Sequence, residues 1–182
     1  MGNFIIKEKE LNKKNIFNVY ILIFVLSGII GFIYEEIFYY FDLGYLVKRG
    51  STFGPWIPIY AFGGLFITLF TYKFKKNPLV VFLISLIVTT FIEYVTGYVL
   101  HKFFDIRLWN YSEEILNFGN IQGYICLRSV LLFAFAGLFL IYKIIPFLIK
   151  IVKDYSKSSL NTICLILLLL FIIDMILFSV LK

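Results

Sequence analysis

The groups with which this chain could do chemistry are few, and several sit inside long apolar runs. Glu35 and Glu36 lie toward the end of one run, Glu93 lies within another and Asp174 within a third. A charge near the centre of a bilayer costs about 2.5–3.5 kcal/mol on insertion scales, so such residues face other helices or a wet cavity. Glu93, Gly97 and His101 are spaced i, i+4, i+8 and share one helical stripe. Gly97 leaves room on that stripe for another backbone or a ligand. Glu35 and Glu36 stand about 100° apart on a helix, so one faces inward while the other snorkels toward the interface.

Three arginines, Arg49, Arg107 and Arg128, complete the set. A guanidinium is a planar fork that suits carboxylate or phosphate. Two outcomes follow from this. The arginines hold an anionic small molecule or lipid head group, or they pair structurally with Glu35, Asp105 or Glu113. Trp56 and Trp109 fall in the same polar stretches and fit an interfacial aromatic belt. Tyr60, Asn110, Tyr111 and Asn117 are further binding candidates there. His101 is the only histidine. No paired-histidine or H-x-x-E spacing accompanies it, so no metal and no cofactor is expected. A histidine at a helix end near head groups is more simply interfacial. Asp174 reads as a packing or pairing residue. Cys126 and Cys164 are expected near opposite faces, too far apart for a disulfide. No Walker loop, nucleophile elbow or other catalytic motif occurs.

The elements that position these groups follow from composition. The chain has 182 residues, of which 61% are hydrophobic, 20% aromatic and only 15% charged, with a mean hydropathy of +0.92. That excludes an ordinary soluble domain. The apolar runs are continuous and near ~20 residues, which selects helices over a barrel. The expected fold is all-α, with five spans at about 16–40, 55–72, 78–100, 129–149 and 161–181. Segment 102–127 is too polar to span and too apolar to leave the surface. It is expected to lie in the interface or re-enter over the site, as a lid or plug. The first run follows a charged segment and is too long for a cleavable signal.

Lysine sets the orientation. Lys7, Lys9, Lys13, Lys14, Lys73, Lys75, Lys76, Lys143, Lys150, Lys153 and Lys157 fall on one side. Lys48, Arg49, Lys102, Arg107, Arg128 and Lys182 fall on the other. The lysine-rich side is expected to be cytoplasmic, with the N-terminus inside and the C-terminus outside. The net charge of +6 is then mostly topogenic and gives no reason to expect nucleic acid as a partner. The organisation expected is a cytoplasmic segment 1–15, a membrane domain 16–149 with an outer loop 101–128, and a linker with a last span over 150–182.

Several motifs occur in a fixed order: Gly31-Phe32-Ile33-Tyr34-Glu35, Arg49-Gly50-x3-Gly54-Pro55-x2-Pro58-Ile59-Tyr60, Glu93-Tyr94-x2-Gly97, Trp109-Asn110-Tyr111-Ser112 with Asn117, and Gly123-x2-Cys126-Leu127. They resemble the bacterial family described as putative ABC-transporter type IV. The resemblance runs from about residue 27 to residue 146 and leaves the final span outside. The chain departs from the family pattern at Asn110, where Asp is usual, at His101, where an acidic residue is common, and at Tyr124, where Arg is common. The resemblance implies a membrane component of transport in the bacterial plasma membrane. With no nucleotide site in the chain, it also implies a separate ATPase or second membrane subunit. A different class stays open: an intramembrane enzyme or lipid-binding protein acting on an anionic lipid or head group at the outer face. A third is a membrane scaffold whose polar cluster only holds the outer loop.

Overall fold

The computed structural model describes residue 11, residues 13–155 and residues 157–181. Lys7, Lys9 and Lys182 lie outside the described residues, as do the side chains of Lys13, Lys14 and Lys157 and most of segment 1–15. The chain is all-α. Six helices follow in order: α1 (Lys13–Leu43), α2 (Pro58–Thr71), α3 (Pro78–Phe104), α4 (Leu127–Phe139), α5 (Ile145–Asp154) and α6 (Lys157–Leu181). A π-helical turn, Leu140–Ile144, joins α4 to α5. The two form one interrupted span with Pro146 just past the turn. A proline has no N–H to donate and crowds the carbonyl four residues back, and the wider turn relieves both.

Four helical segments are long and apolar enough to cross a membrane: Asn15–Leu43, Pro78–Phe104, Leu127–Asp154 and Ser159–Leu181. The second of the five expected spans differs. Helix α2 has 14 residues, about 21 Å, against a hydrocarbon thickness of ~30 Å. It begins at Pro58, not at residue 55. A proline at the first helical position loses nothing, since that N–H has no partner in the helix. Residues 44–57 make up the missing length as irregular chain. This loop runs back down along α1 until Ile57 N–H donates to the Gly28 carbonyl at 3.0 Å. Gly28 lies fifteen residues before the end of α1, about 22 Å along its axis. Residues 44–57 thus form a loop that is re-entrant relative to α1.

Irregular backbone at that depth survives only where protein satisfies it, and α6 supplies the partner. Asp174 accepts from Phe53 N at 2.9 Å, Gly54 N at 2.8 Å and the Trp56 indole at 2.6 Å. The Thr52 hydroxyl donates to the Trp56 carbonyl at 2.6 Å. Trp56 also stacks on Phe171 at 5.1 Å. It is thus an internal anchor and not part of an interfacial belt.

Helix α3 shows how the spans choose faces. Val81, Ser85, Thr89, Glu93 and Gly97 are buried, while Leu79, Leu83, Ile87, Phe91 and Val95 are exposed. Both sets repeat every four residues, on opposite faces. Small and polar residues meet other helices and bulky apolar ones face outward, as lipid requires. Thr68, Thr71 and Thr89 turn their hydroxyls back onto carbonyls four residues earlier at 2.6–2.8 Å, so each polar group is spent within its own helix. Helix α1 packs against α2, α5 and α6, and α3 against α2 and α4. At the α1–α2 crossing, a Cβ on Gly31 would lie 2.1 Å from Tyr60 Cγ.

Candidate functional site at the loop-bearing end of the bundle

The C-terminal ends of α1 and α3 and the N-terminal ends of α2 and α4 meet at one end, and segment 105–126 folds over them. Asp105 caps α3 in the left-handed region at φ 55°. The chain then turns through a short 3-10 helix, Tyr111–Glu113, and closes with a bridge between Ile121 and Ile125. Tyr111, Glu114 and Tyr124 are all buried. Their side chains plug the gap between the helix ends.

Glu93 sits deepest, 4% exposed. One carboxylate oxygen accepts the phenol proton of Tyr111. The other lies 3.2 Å from the Ser129 hydroxyl, which is itself 2.9 Å from the Cys126 carbonyl. Burial, reinforced by the Glu93 charge, pushes the Tyr111 phenol well above its ordinary value, so it stays a donor. Gly97, one turn above, meets Trp109 and Tyr124, each 3.1 Å from where a Cβ would stand. The space on that stripe is therefore filled by the loop's own rings. The Trp109 indole donates to the Tyr124 carbonyl at 2.9 Å. His101 ends the stripe, its Nδ1 2.8 Å from the Tyr124 hydroxyl.

Arg128 forms the second centre. It pairs with Glu114 at 2.5 Å, donates to the Tyr34 hydroxyl at 3.1 Å and lies 3.8 Å over the Phe38 ring. Tyr39 donates to the other Glu114 oxygen. Arg49 forms the third. Its Nε donates to Glu35 at 3.3 Å, its plane lies 3.7 Å from the Tyr39 ring, and its backbone N–H donates to Glu36 at 2.8 Å. Tyr60 stands beside Glu35.

The arginines thus divide. Arg49 takes the expected partner Glu35. Arg128 takes Glu114 and not Glu113, whose carboxylate instead accepts from Asn110. Arg107 has no carboxylate partner among the described residues. It donates to Asn110 Oδ1 at 2.7 Å and to the Gln122 carbonyl at 3.1 Å. Asn117 donates to the Ser112 carbonyl at 3.2 Å. Of the sequence candidates, Glu35, Tyr60, Glu93, Trp109, Tyr111 and Arg128 line one small cavity of about 30 Å³, room for about one water. Arg107, Asn110, Asn117 and His101 do not line it and belong to the covering loop and its seat. Reading the sequence missed Tyr34, Phe38, Tyr39, Glu114 and Ser129, which also line it. The aromatic residues resemble ordinary span residues, and only the fold brings them to Arg128 and Glu114.

A larger cavity of about 430 Å³ adjoins it and shares Glu35, Ile59 and Trp109. Its lining includes Lys48, Arg49 and Ser51 as well as Phe62, Phe66, Ile92 and Leu100. Among the described residues no three His, Cys, Asp or Glu side chains gather to hold a metal ion. Cys126 and Cys164 are free and buried, toward opposite ends of the bundle.

These features define a polytopic helical membrane protein with a cluster of acidic, arginine and aromatic side chains at one end. The chain belongs to the family described as putative ABC-transporter type IV, whose model matches residues 22–179. The match runs well past residue 146 and takes in most of α6, which the motif-based resemblance left outside. Within this chain, α6 completes the re-entrant loop through Asp174. Comparison with curated proteins and with solved structures gave no match.

Proposed function

We propose that this chain is the membrane-embedded component of a transport system, working with a separate ATPase or a second membrane subunit in the bacterial plasma membrane. The observation that carries this reading is the interrupted second span. Helix α2 starts halfway along α1, at the end of a re-entrant loop, with its N-terminus beside Glu35 and Tyr60. Secondary transporters place substrate sites at such broken helices, where the positive helix end meets charged groups. The turn after α2, with Lys73, Lys75 and Lys76, and the lysines of α5 would face the cytoplasm, which would put the charged cluster at the extracytoplasmic face and the C-terminus outside.

A second reading is an intramembrane enzyme or lipid-binding protein acting on an anionic lipid or head group. The concentration of acidic and arginine side chains at one end favours it, because an alternating-access pathway needs charged positions in both leaflets. Mild-detergent purification of the tagged chain, with mass spectrometry of co-purifying proteins, tests the choice. A stoichiometric ATPase supports transport, whereas a retained lipid with no ATPase supports the second reading.

A further inference from the structure

The larger cavity is lined by both charged and apolar side chains, and its Arg49 is set for a ligand. Arg49 is fixed from two sides, by Glu35 at its Nε and by the Tyr39 ring 3.7 Å beneath its plane. Its side chain is only 21% exposed. Neither terminal nitrogen has a hydrogen-bond partner among the described residues. An arginine oriented through Nε with its outer edge unused presents paired N–H donors in the spacing of a carboxylate or phosphate. Glu35 offsets one positive charge, and Lys48, which lines the same cavity, adds another. One Lys48 N–H goes to the Phe53 carbonyl at 2.9 Å, leaving two. Glu36 sits on the Arg49 backbone N–H and is not in the cavity lining, so the N–H donors left on Arg49 and Lys48 suit a negatively charged head group.

The apolar lining suits a chain. Phe62 and Phe66 lie one turn apart on α2 and are 42% and 39% exposed, so that flank faces hydrocarbon in a bilayer. Ile92 and Leu100 of α3 line the same cavity. At about 430 Å³ the space falls in the range of small-molecule sites.

We propose that this cavity seats an anionic single-chain lipid that enters sideways from the bilayer, its phosphate or carboxylate on Arg49 and Lys48 and its chain along Phe62, Phe66 and α3. The proposal rests on reading this end of the bundle as the cargo site, and it names the class of cargo.

The test uses the full chain in mild detergent and a diazirine-bearing lysophosphatidylglycerol, compared with the matching lysophosphatidylcholine. Crosslinks mapped by peptide mass spectrometry should fall on α2 and α3 around Phe62, Phe66, Ile92 and Leu100. They should be several-fold stronger for the anionic probe. Arg49→Gln should lower anionic labelling about tenfold, toward the choline level, through loss of one charge-assisted pair. Lys150→Gln, at the far end, should change nothing. Equal labelling by both probes, or label spread evenly over α6, would overturn the proposal. So would full competition by soluble glycerol phosphate, which would make the ligand a free anion. If Arg49→Gln does not fold, the head-group comparison on the unaltered chain still decides. An ATPase partner without selective labelling removes the lipid and keeps transport. Selective labelling without an ATPase keeps the site and removes transport.

Discussion

Asp174, in the middle of the last helix, accepts the indole proton of Trp56 at 2.6 Å from 118 residues away. The same carboxylate holds two backbone N–H groups of the re-entrant loop. Asp174→Ala strands two partly buried donors, Gly54 N–H and the Trp56 indole, each worth about 1–3 kcal/mol when left unsatisfied. The expected result is a fall of several degrees or more in detergent melting temperature and early aggregation. Asp174→Asn should be intermediate, since its amide keeps one acceptor oxygen and turns a donor toward donors. A melting curve unchanged in both variants would show that the loop is held by something else.

Arg128 and Glu114 form a part-buried ion pair at 2.5 Å, with Glu114 the buried partner. Removing one partner of such a pair costs about 3–5 kcal/mol, because the other charge is left buried alone. Arg128→Ala should therefore destabilise strongly. The double variant Arg128→Leu with Glu114→Leu should recover much of the loss. Thermal melts of the three proteins check this, and a double variant no better than the single would refute the pairing argument.

These two contacts show how far the sequence can be read. Burial of Glu93 and Gly97 on one stripe follows from four-residue spacing, and Glu35 is among the partners that the charge pattern offers Arg49. The choice of Glu114 over Glu113 is not readable. It depends on how the 3-10 turn Tyr111–Glu113 rotates two adjacent carboxylates, one toward Asn110 and the other toward Tyr39 and Arg128. The re-entrant loop is half readable. Gly54-Pro55-x-x-Pro58 marks a break in the second apolar run, but the depth of the loop is fixed by Asp174, far away in sequence. His101 and Tyr124, which the resemblance leads one to expect as departures from the family pattern, touch each other at 2.8 Å.

Gly31→Ala tests the α1–α2 crossing. The added carbon would lie 2.1 Å from Tyr60 Cγ and 2.5 Å from its Cβ, the rigid root of that side chain. Overpacking of this kind costs about 1–3 kcal/mol, and the displaced Tyr60 leaves the side of Glu35. A lower melting temperature is expected, partly restored by Tyr60→Leu. No change on Gly31→Ala would mean that the helices part freely.

Glu93→Gln keeps an oxygen that can accept from Tyr111, so folding should survive with a loss of at most about 1–3 kcal/mol. If Glu93 carries function as an ionisable group, the cellular phenotype of a deletion should not be rescued by this variant. Full rescue, with normal expression, would reduce Glu93 to a structural role.

Cys126 is 1% exposed and Cys164 is 0% exposed. A membrane-permeant maleimide should label neither in the folded protein and both after denaturation. Fast labelling of Cys126 in the native state would show that segment 105–126 opens.

The Asp174 anchor also orders events during synthesis. At about 5–20 residues per second, the 118 residues between Trp56 and Asp174 take about 6–24 s to translate. Through that interval the N–H groups of Phe53 and Gly54 have no carboxylate to bind. The second span is thus left unfinished until the last helix enters the bilayer, and a chain stopped before α6 would present the cell's quality-control machinery with an open loop at the heart of an otherwise inserted bundle.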